Sequence, residues 1–90
     1  MNHYGAQMMR HWRTERPVEY RELDDPQKHF EQVGEEVAEQ VEVRARALAG
    51  EAPPQEGYLA RLQRLNTARL TAEGEVVREY LLPGAEGEMP

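Results

Sequence analysis

The stretch from Asp25 to Gly50 constrains the fold most, because it carries the start and stop signals of one long helix. The Asp25 side chain can cap the first turn, and Pro26 suits the first helical position, where its missing N–H costs nothing. Gly50 stands where a left-handed residue ends a helix, and two prolines that follow it prevent continuation. We therefore predict one helix over residues 26–49.

Six apolar residues of this helix recur at three- and four-residue spacing and so share one face: Phe30, Val33, Val37, Val41, Ala45 and Leu48. Gly34 and Ala38 lie beside that face and leave a shallow strip against which another helix can pack closely. The other side carries an acidic face, made of Glu31, Glu35, Glu39 and Glu42. We interpret it as a solvated face in which Glu42 pairs with Arg46 one turn on. The alternative is that it imitates a phosphate backbone.

The residues before this helix predict two short helices. The first, over about residues 4–15, has its apolar residues four apart: Tyr4, Met8 and Trp12. Residues 1–3 are expected to fray. Pro17 ends the first helix, since the residue before a proline is pushed out of helical geometry, and it can open the second over about 17–23.

A loop rich in proline and glycine follows Gly50 and is long enough to reverse the chain. The last helix, over about residues 58–82, is therefore expected to run antiparallel to the first long one. Its apolar residues are Tyr58, Leu62, Leu65, Ala72, Val76 and Tyr80, widened by Leu59, Ala68, Val77 and Leu81. Gly74, in mid-helix, costs up to ~1 kcal/mol relative to alanine, which favours a close helix contact there. Residues 83–90 read as a polar, flexible tail.

The predicted fold is all-α: one helical domain over residues 1–82, with two long antiparallel helices and two short N-terminal ones. A chain of 90 residues buries only about 60–65% of its unfolded surface. The two long helices carry more apolar surface than the two short ones can obviously cover. We expect a homodimer to bury the remainder as a bundle.

The net charge of −6 is spread unevenly along the chain. Residues 1–21 hold four arginines against two glutamates, whereas residues 22–57 hold ten acidic residues against three basic ones. Cysteine is absent, no run approaches the ~20 apolar residues of a membrane span, and the first residues lack a signal-peptide apolar block. These features predict a cytoplasmic protein without membrane contact.

Several residue types needed for catalysis are missing, so we predict no enzyme, no cofactor and no metal. Serine and cysteine are both absent, which removes the usual activated nucleophiles. Neither Glu-x-x-His nor His-Glu-x-x-His occurs, and the scattered glycines form no phosphate loop. A metal-dependent helical enzyme is the least favoured of the hypotheses.

Two groups of polar residues are candidates for partner binding. Near the N-terminus, Arg10, Arg13, Arg16 and Tyr20 could contact phosphates and stack on bases, although neighbouring glutamates and the acidic total oppose this. In the last helix, Asn66, Arg69 and Glu73 form a polar strip. That strip is either a structural network, in which Glu73 pairs with Arg69, or a recognition surface.

Two separated blocks resemble the transposon-encoded TnpV family. The residues that carry the resemblance are Tyr4-Gly5, Met8-Met9-Arg10, Arg16-Pro17, Tyr20 and Leu23, then Arg64-Leu65-Asn66-Thr67, Arg69, Ala72-Glu73, Val76-Val77 and Glu79. The resemblance implies a small protein of a mobile genetic element, without catalytic activity and with an accessory role in excision or regulation.

Together these observations predict a non-enzymatic accessory or regulatory protein of a transposon or prophage, acting on DNA or on a recombinase-type nucleoprotein partner. The alternative is an acidic inhibitor of a host nucleic-acid machine, of the anti-CRISPR or polymerase-inhibitor type. A protein partner is expected, and direct nucleic-acid contact stays open.

Overall fold

The computed structural model describes residues 1–82, which form four α-helices. They are α1 (His3–Glu15), α2 (Pro17–Arg21), α3 (Pro26–Ala49) and α4 (Tyr58–Leu81). No strand occurs in this part of the chain. The predicted all-α fold with two long helices is confirmed, and α2 ends two residues earlier than expected. The predicted tail over 83–90 lies outside the described residues.

The ends of α3 follow the signals in the sequence. The Asp25 carboxylate accepts a hydrogen bond from the Lys28 backbone N–H at 3.1 Å, and Pro26 occupies the first helical position. Gly50 has a φ of 62°, a left-handed value that glycine adopts without strain. After the loop, α4 packs along α3 as the second arm of a helical hairpin.

The start of α1 is better fixed than the sequence predicts. Asn2 caps the helix, accepting from the Gly5 N–H at 2.9 Å, and its side-chain amide donates to the Gly34 carbonyl at 2.9 Å. The expectation that residues 1–3 fray is therefore wrong for Asn2. Its partner on α3 is 32 residues away, so local patterns could not reveal the contact.

The core lies where α1 and α4 both meet α3. Its buried residues come from all three helices: Tyr4, Met8, Trp12, Phe30, Val33, Val37, Val41, Ala72 and Val76. Phe30 is the largest fully buried side chain and is edge-on to Trp12, with ring centroids 5.5 Å apart. Edge-to-face geometry of this kind stabilises an aromatic pair beyond its burial alone.

Glycine permits the close approach of α1 to α3. A Cβ atom at Gly34 would lie 2.9 Å from the Gly5 nitrogen and 3.0 Å from the Gly5 Cα, which is too close for real atoms. The strip predicted beside the apolar face of α3 is thus where α1 packs. The close contact predicted at Gly74 is wrong within residues 1–82, because no atom of that range lies within 4 Å of a Cβ there. Gly74 is on the exposed side of α4.

The apolar face of α4 is buried over only part of its length. Ala68, Ala72 and Val76 are buried, whereas Tyr58, nearer the loop, is 74% exposed. Leu62 and Leu65, on the same face as Tyr58, are 41% and 38% exposed. The hairpin therefore has a closed half, which α1 covers, and an open half near the loop, which no part of residues 1–82 covers.

Candidate functional site: a groove in the open half of the hairpin

A groove of about 530 Å³ runs between α3 and α4 in the open half. We call it the open groove, and the residues that matter for its chemistry are Ala45, Arg46, Ala49, Arg61, Leu65 and Arg69. The second half of α3 forms one wall and the first half of α4 forms the other. Most of the uncharged lining is glycine or alanine, whose small side chains leave the groove wide.

An ion pair between α3 and α4 marks the end of the groove next to α1. Arg69 donates a hydrogen bond to the Glu42 carboxylate, and this bond holds the pKa of Glu42 below its usual range. Both side chains act electrostatically on Tyr4 of α1, which places the pair beside the start of that helix. The open groove thus begins where α1 stops covering the hairpin.

Tyr4 completes this polar boundary. Its hydroxyl donates a 2.6 Å hydrogen bond to the Glu73 carboxylate, and its ring is only 5% exposed. Burial, together with the carboxylate it bonds, raises the pKa of Tyr4 to about 12. The neutral, hydrogen-bonded phenol therefore persists over the physiological pH range.

The arginines of the groove differ in what they contact. Arg64 is engaged within the protein, since it donates to Glu56 at 2.7 Å and to the Ala49 carbonyl at 2.7 Å. This ties the loop to both helices. Arg46 on α3 and Arg61 on α4 make no hydrogen bond or ion pair with other described residues. Arg46 acts electrostatically on Glu42 and Arg61 on Glu56, so the groove offers two guanidinium groups, one from each wall, that hydrogen-bond no described residue.

Apolar surface lies between and beside these charges. Ala45, Ala49 and Leu65 line the groove, and Leu62 and Tyr58 follow on the same face of α4 at helical spacing. Exposed tyrosine and arginine are residue types enriched in protein interfaces, and the leucines add exposed apolar area beside them.

The structure brings together one of the two groups that the sequence proposed. Asn66 and Arg69 line the open groove, and Glu73 lies at its boundary with α1. The pairing differs from the expectation, because Arg69 hydrogen-bonds Glu42 of α3 and Glu73 accepts from Tyr4. Glu42 was expected to pair with Arg46. Its hydrogen bond goes instead to Arg69 of the facing helix, while Arg46 contributes a weaker electrostatic effect on the same carboxylate.

The N-terminal group lies elsewhere, on α1 and α2. Arg10 and Arg13 are exposed, and Arg16 lies 5.0 Å over the Trp12 ring. Trp12 is only 7% exposed, and Tyr20 stacks against Phe30 with centroids 6.2 Å apart. Both aromatic rings serve the core, so neither offers a free face to a nucleic-acid base.

The acidic face of α3 is exposed over its whole length, at Glu31, Glu35, Glu39 and Glu42. Within residues 1–82, no three histidine or carboxylate side chains come together as metal ligands. None of the helices in that range is both long enough and apolar enough to cross a membrane.

Comparisons with known proteins add no family to this description. The chain matches no family model, no curated protein and no solved structure. Function therefore has to be inferred from the residues of the site.

Sequence reasoning missed Arg46 and Arg61 as site residues. Their spacing along each helix looks like that of ordinary surface charges, and only the pairing of α3 with α4 brings them to one groove. The sequence did predict that the short helices leave apolar surface of the long ones uncovered, but not that this surface lies at Tyr58, Leu62 and Leu65. The lengths of the helices, 13 residues for α1 against 24 for α3 and α4, account for it.

Proposed function

We propose that this protein is a non-enzymatic binding protein that works through the open half of its hairpin. In keeping with its resemblance to the TnpV family, we assign it an accessory or regulatory role on a mobile genetic element. Its partner in this proposal is a protein of the recombinase or nucleoprotein type. The cytoplasm is the compartment in which such a partner acts.

The observation that carries the proposal is the uncovered apolar face of α4. Tyr58, Leu62 and Leu65 repeat at helical spacing, yet each is exposed by more than a third. Single exposed apolar residues are normal on a protein surface, but a continuous row beside a groove marks an interaction site. The row favours a protein partner over nucleic acid, because phosphate backbones offer no apolar counterpart to it.

The test uses two substitutions on the same helix. Leu62→Glu places a charge on the open face, whereas Leu70→Glu places one at a position that is 70% exposed and does not line the groove. We expect Leu62→Glu to abolish the effect of the protein on excision of its element, measured as excision frequency in the cell of origin. Leu70→Glu should retain that effect. Equal activity of both variants would contradict the proposal.

A salt-titrated shift assay with duplex DNA addresses direct nucleic-acid binding. Neutralisation of several phosphates makes affinity fall steeply with salt. We expect the purified protein alone to produce no shift. A salt-sensitive shift that Arg10→Ala and Arg13→Ala remove would instead assign DNA contact to the N-terminal arginines.

The acidic-inhibitor alternative rests on a different surface, the exposed face at Glu31, Glu35 and Glu39. Reversal of those charges to lysine should leave excision unchanged under the present proposal. A loss of activity confined to that variant would favour the inhibitor. The predicted homodimer stays a prediction, which sedimentation velocity tests.

A further inference from the structure

We infer that the open groove binds one helix of a partner protein, and that this helix has an apolar face flanked by carboxylates. This inference rests on the proposed function, because it specifies the chemistry of the partner at the same site.

The shape of the site is the first argument. The groove continues the surface on which α1 lies, with the same two helices as walls, beyond the boundary formed by Glu42 and Arg69. In the closed half, α1 buries Tyr4 and Met8 against this hairpin, to 5% and 1% exposure. The hairpin thus already accommodates one helix through an apolar face. A second helix in the open half would extend the same packing.

The charge of the site is the second argument. Arg46 and Arg61 flank the apolar lining from opposite walls. Neither hydrogen-bonds a described residue, although Arg46 acts electrostatically on Glu42 and Arg61 on Glu56. Arginine binds carboxylates through forked, charge-assisted hydrogen bonds, and a helix can present glutamates on both sides of an apolar stripe. From Arg61 to Arg69 the wall is about 12 Å long at 1.5 Å per residue, which matches roughly two helical turns.

Nucleic acid fits the groove less well. Arg46 and Arg61 can pair with phosphates, but the apolar lining of Ala45, Ala49 and Leu65 would then have no counterpart, and the acidic face of α3 belongs to the same helix. The net charge of −6 adds long-range repulsion.

A second copy of this chain also fits less well. Its acidic face carries glutamates without an apolar stripe, because the apolar side of α3 is buried from Phe30 to Val41. Its exposed apolar row, on α4, is accompanied by Arg61, so two copies facing through that row would bring like charges together. Its α1 has an apolar face, but that face is buried too, and Arg10 and Arg13 would meet the groove arginines with like charge.

The test uses a synthetic helical peptide as the probe, with leucines on one face and glutamates on both sides of them. A matched peptide has glutamine in place of every glutamate. Fluorescence anisotropy measures binding of each labelled peptide to the full chain. We expect the acidic peptide to bind at least about tenfold more tightly than the glutamine peptide, a difference that corresponds to about 1.4 kcal/mol.

Substitutions in the protein test whether the peptide binds in the open groove. Arg46→Glu with Arg61→Glu should weaken the acidic peptide by tenfold or more, and Leu65→Asn should weaken both peptides. The matched control is Arg21→Glu with Arg78→Glu, which reverses two exposed charges outside the groove and should change nothing. Circular dichroism of each variant verifies the fold. If Leu65→Asn unfolds the chain, the arginine variant alone decides.

Three results would overturn the inference: no binding of the acidic peptide, equal binding of the glutamine peptide, or displacement of the peptide by duplex DNA at similar concentration. A dimer in sedimentation velocity that the Arg46→Glu, Arg61→Glu variant dissociates would identify a second copy as the occupant. If the peptide fails while Leu62→Glu still abolishes excision activity, the helix inference falls and the binding function stands.

Discussion

The closed and open halves of the hairpin are built from the same two helices but differ in what covers them. In the closed half, Phe30, Val37 and Val76 are at most 1% exposed, because α1 packs across α3 and reaches α4. In the open half, Leu62 and Leu65 occupy equivalent positions on the apolar face of α4 and remain more than a third exposed. The difference comes from the length of α1, which is 13 residues against 24 for each long helix.

This contrast separates two roles of an apolar stripe. In the closed half the stripe stabilises the fold, since each side chain gains from removal of its surface from water. In the open half more than a third of the surface of Leu62 and Leu65 is still in water, and burying it would add to that gain. The polar boundary of Tyr4, Glu73, Arg69 and Glu42 lies between the two halves and satisfies the groups there. One continuous face of the molecule therefore combines a core with the surface that we propose as an interface.

The largest expected effect comes from truncation of one large side chain in each half. Phe30→Ala removes the largest fully buried side chain and should lower the free energy of unfolding by about 3–5 kcal/mol. Leu62→Ala, in the open half, should cost less than about 1 kcal/mol, because much of its surface is already in water. Urea denaturation followed by circular dichroism measures both values.

Equal losses of unfolding free energy for Phe30→Ala and Leu62→Ala would contradict the division into a closed and an open half. A large loss for Leu62→Ala would mean that the open half is covered in solution, and its dependence on protein concentration would then reveal self-association. If Phe30→Ala does not fold, Val37→Ala, at a fully buried position, gives the same contrast with a smaller deletion.

Two glycine substitutions contrast a crowded position with an open one. The first tests how closely α1 approaches α3. Gly34→Ala introduces a Cβ within 3.0 Å of the Gly5 backbone, which must shift, and we expect a loss of about 1–3 kcal/mol. Gly74→Ala adds a methyl group in open space on a helix, so it should stabilise the protein by up to about 1 kcal/mol. Thermal unfolding should give shifts of opposite sign, and a loss with both variants would show that α4 has a neighbour at Gly74.

Local sequence patterns predicted where the helices begin and end, but not which of their faces other helices cover. The cap at Asp25, the stop at Gly50 and the spacing of Phe30, Val37 and Val41 are local signals, and the structure follows them. The Asn2 contact with Gly34 and the Arg69 pair with Glu42 depend on how helices cross, which periodicity does not encode. The close-packing strip at Gly34 lies beside the apolar face and was predicted correctly. The close helix contact predicted at Gly74 was wrong. The open groove follows from the relative lengths of α1, α3 and α4, and it required the assembled fold.

The last expected effect concerns Tyr4, at the boundary between the two halves, and it is smaller than that of Phe30→Ala. Tyr4→Phe removes its hydrogen bond to the partly buried Glu73 and should cost about 1–2 kcal/mol at neutral pH. The pKa of Tyr4 is raised in the folded state, so the neutral phenol stabilises the fold fully below its ordinary value of 10.0. That contribution is lost as the pH rises from about 10 towards about 12. Unfolding measured across this range should show a steeper loss for the unmodified protein than for Tyr4→Phe, whereas Tyr58→Phe, at a site 74% exposed, should not change stability at neutral pH. Parallel curves for the protein and Tyr4→Phe would mean that α1 does not hold Tyr4 against Glu73, and that the division between the closed and open halves lies elsewhere.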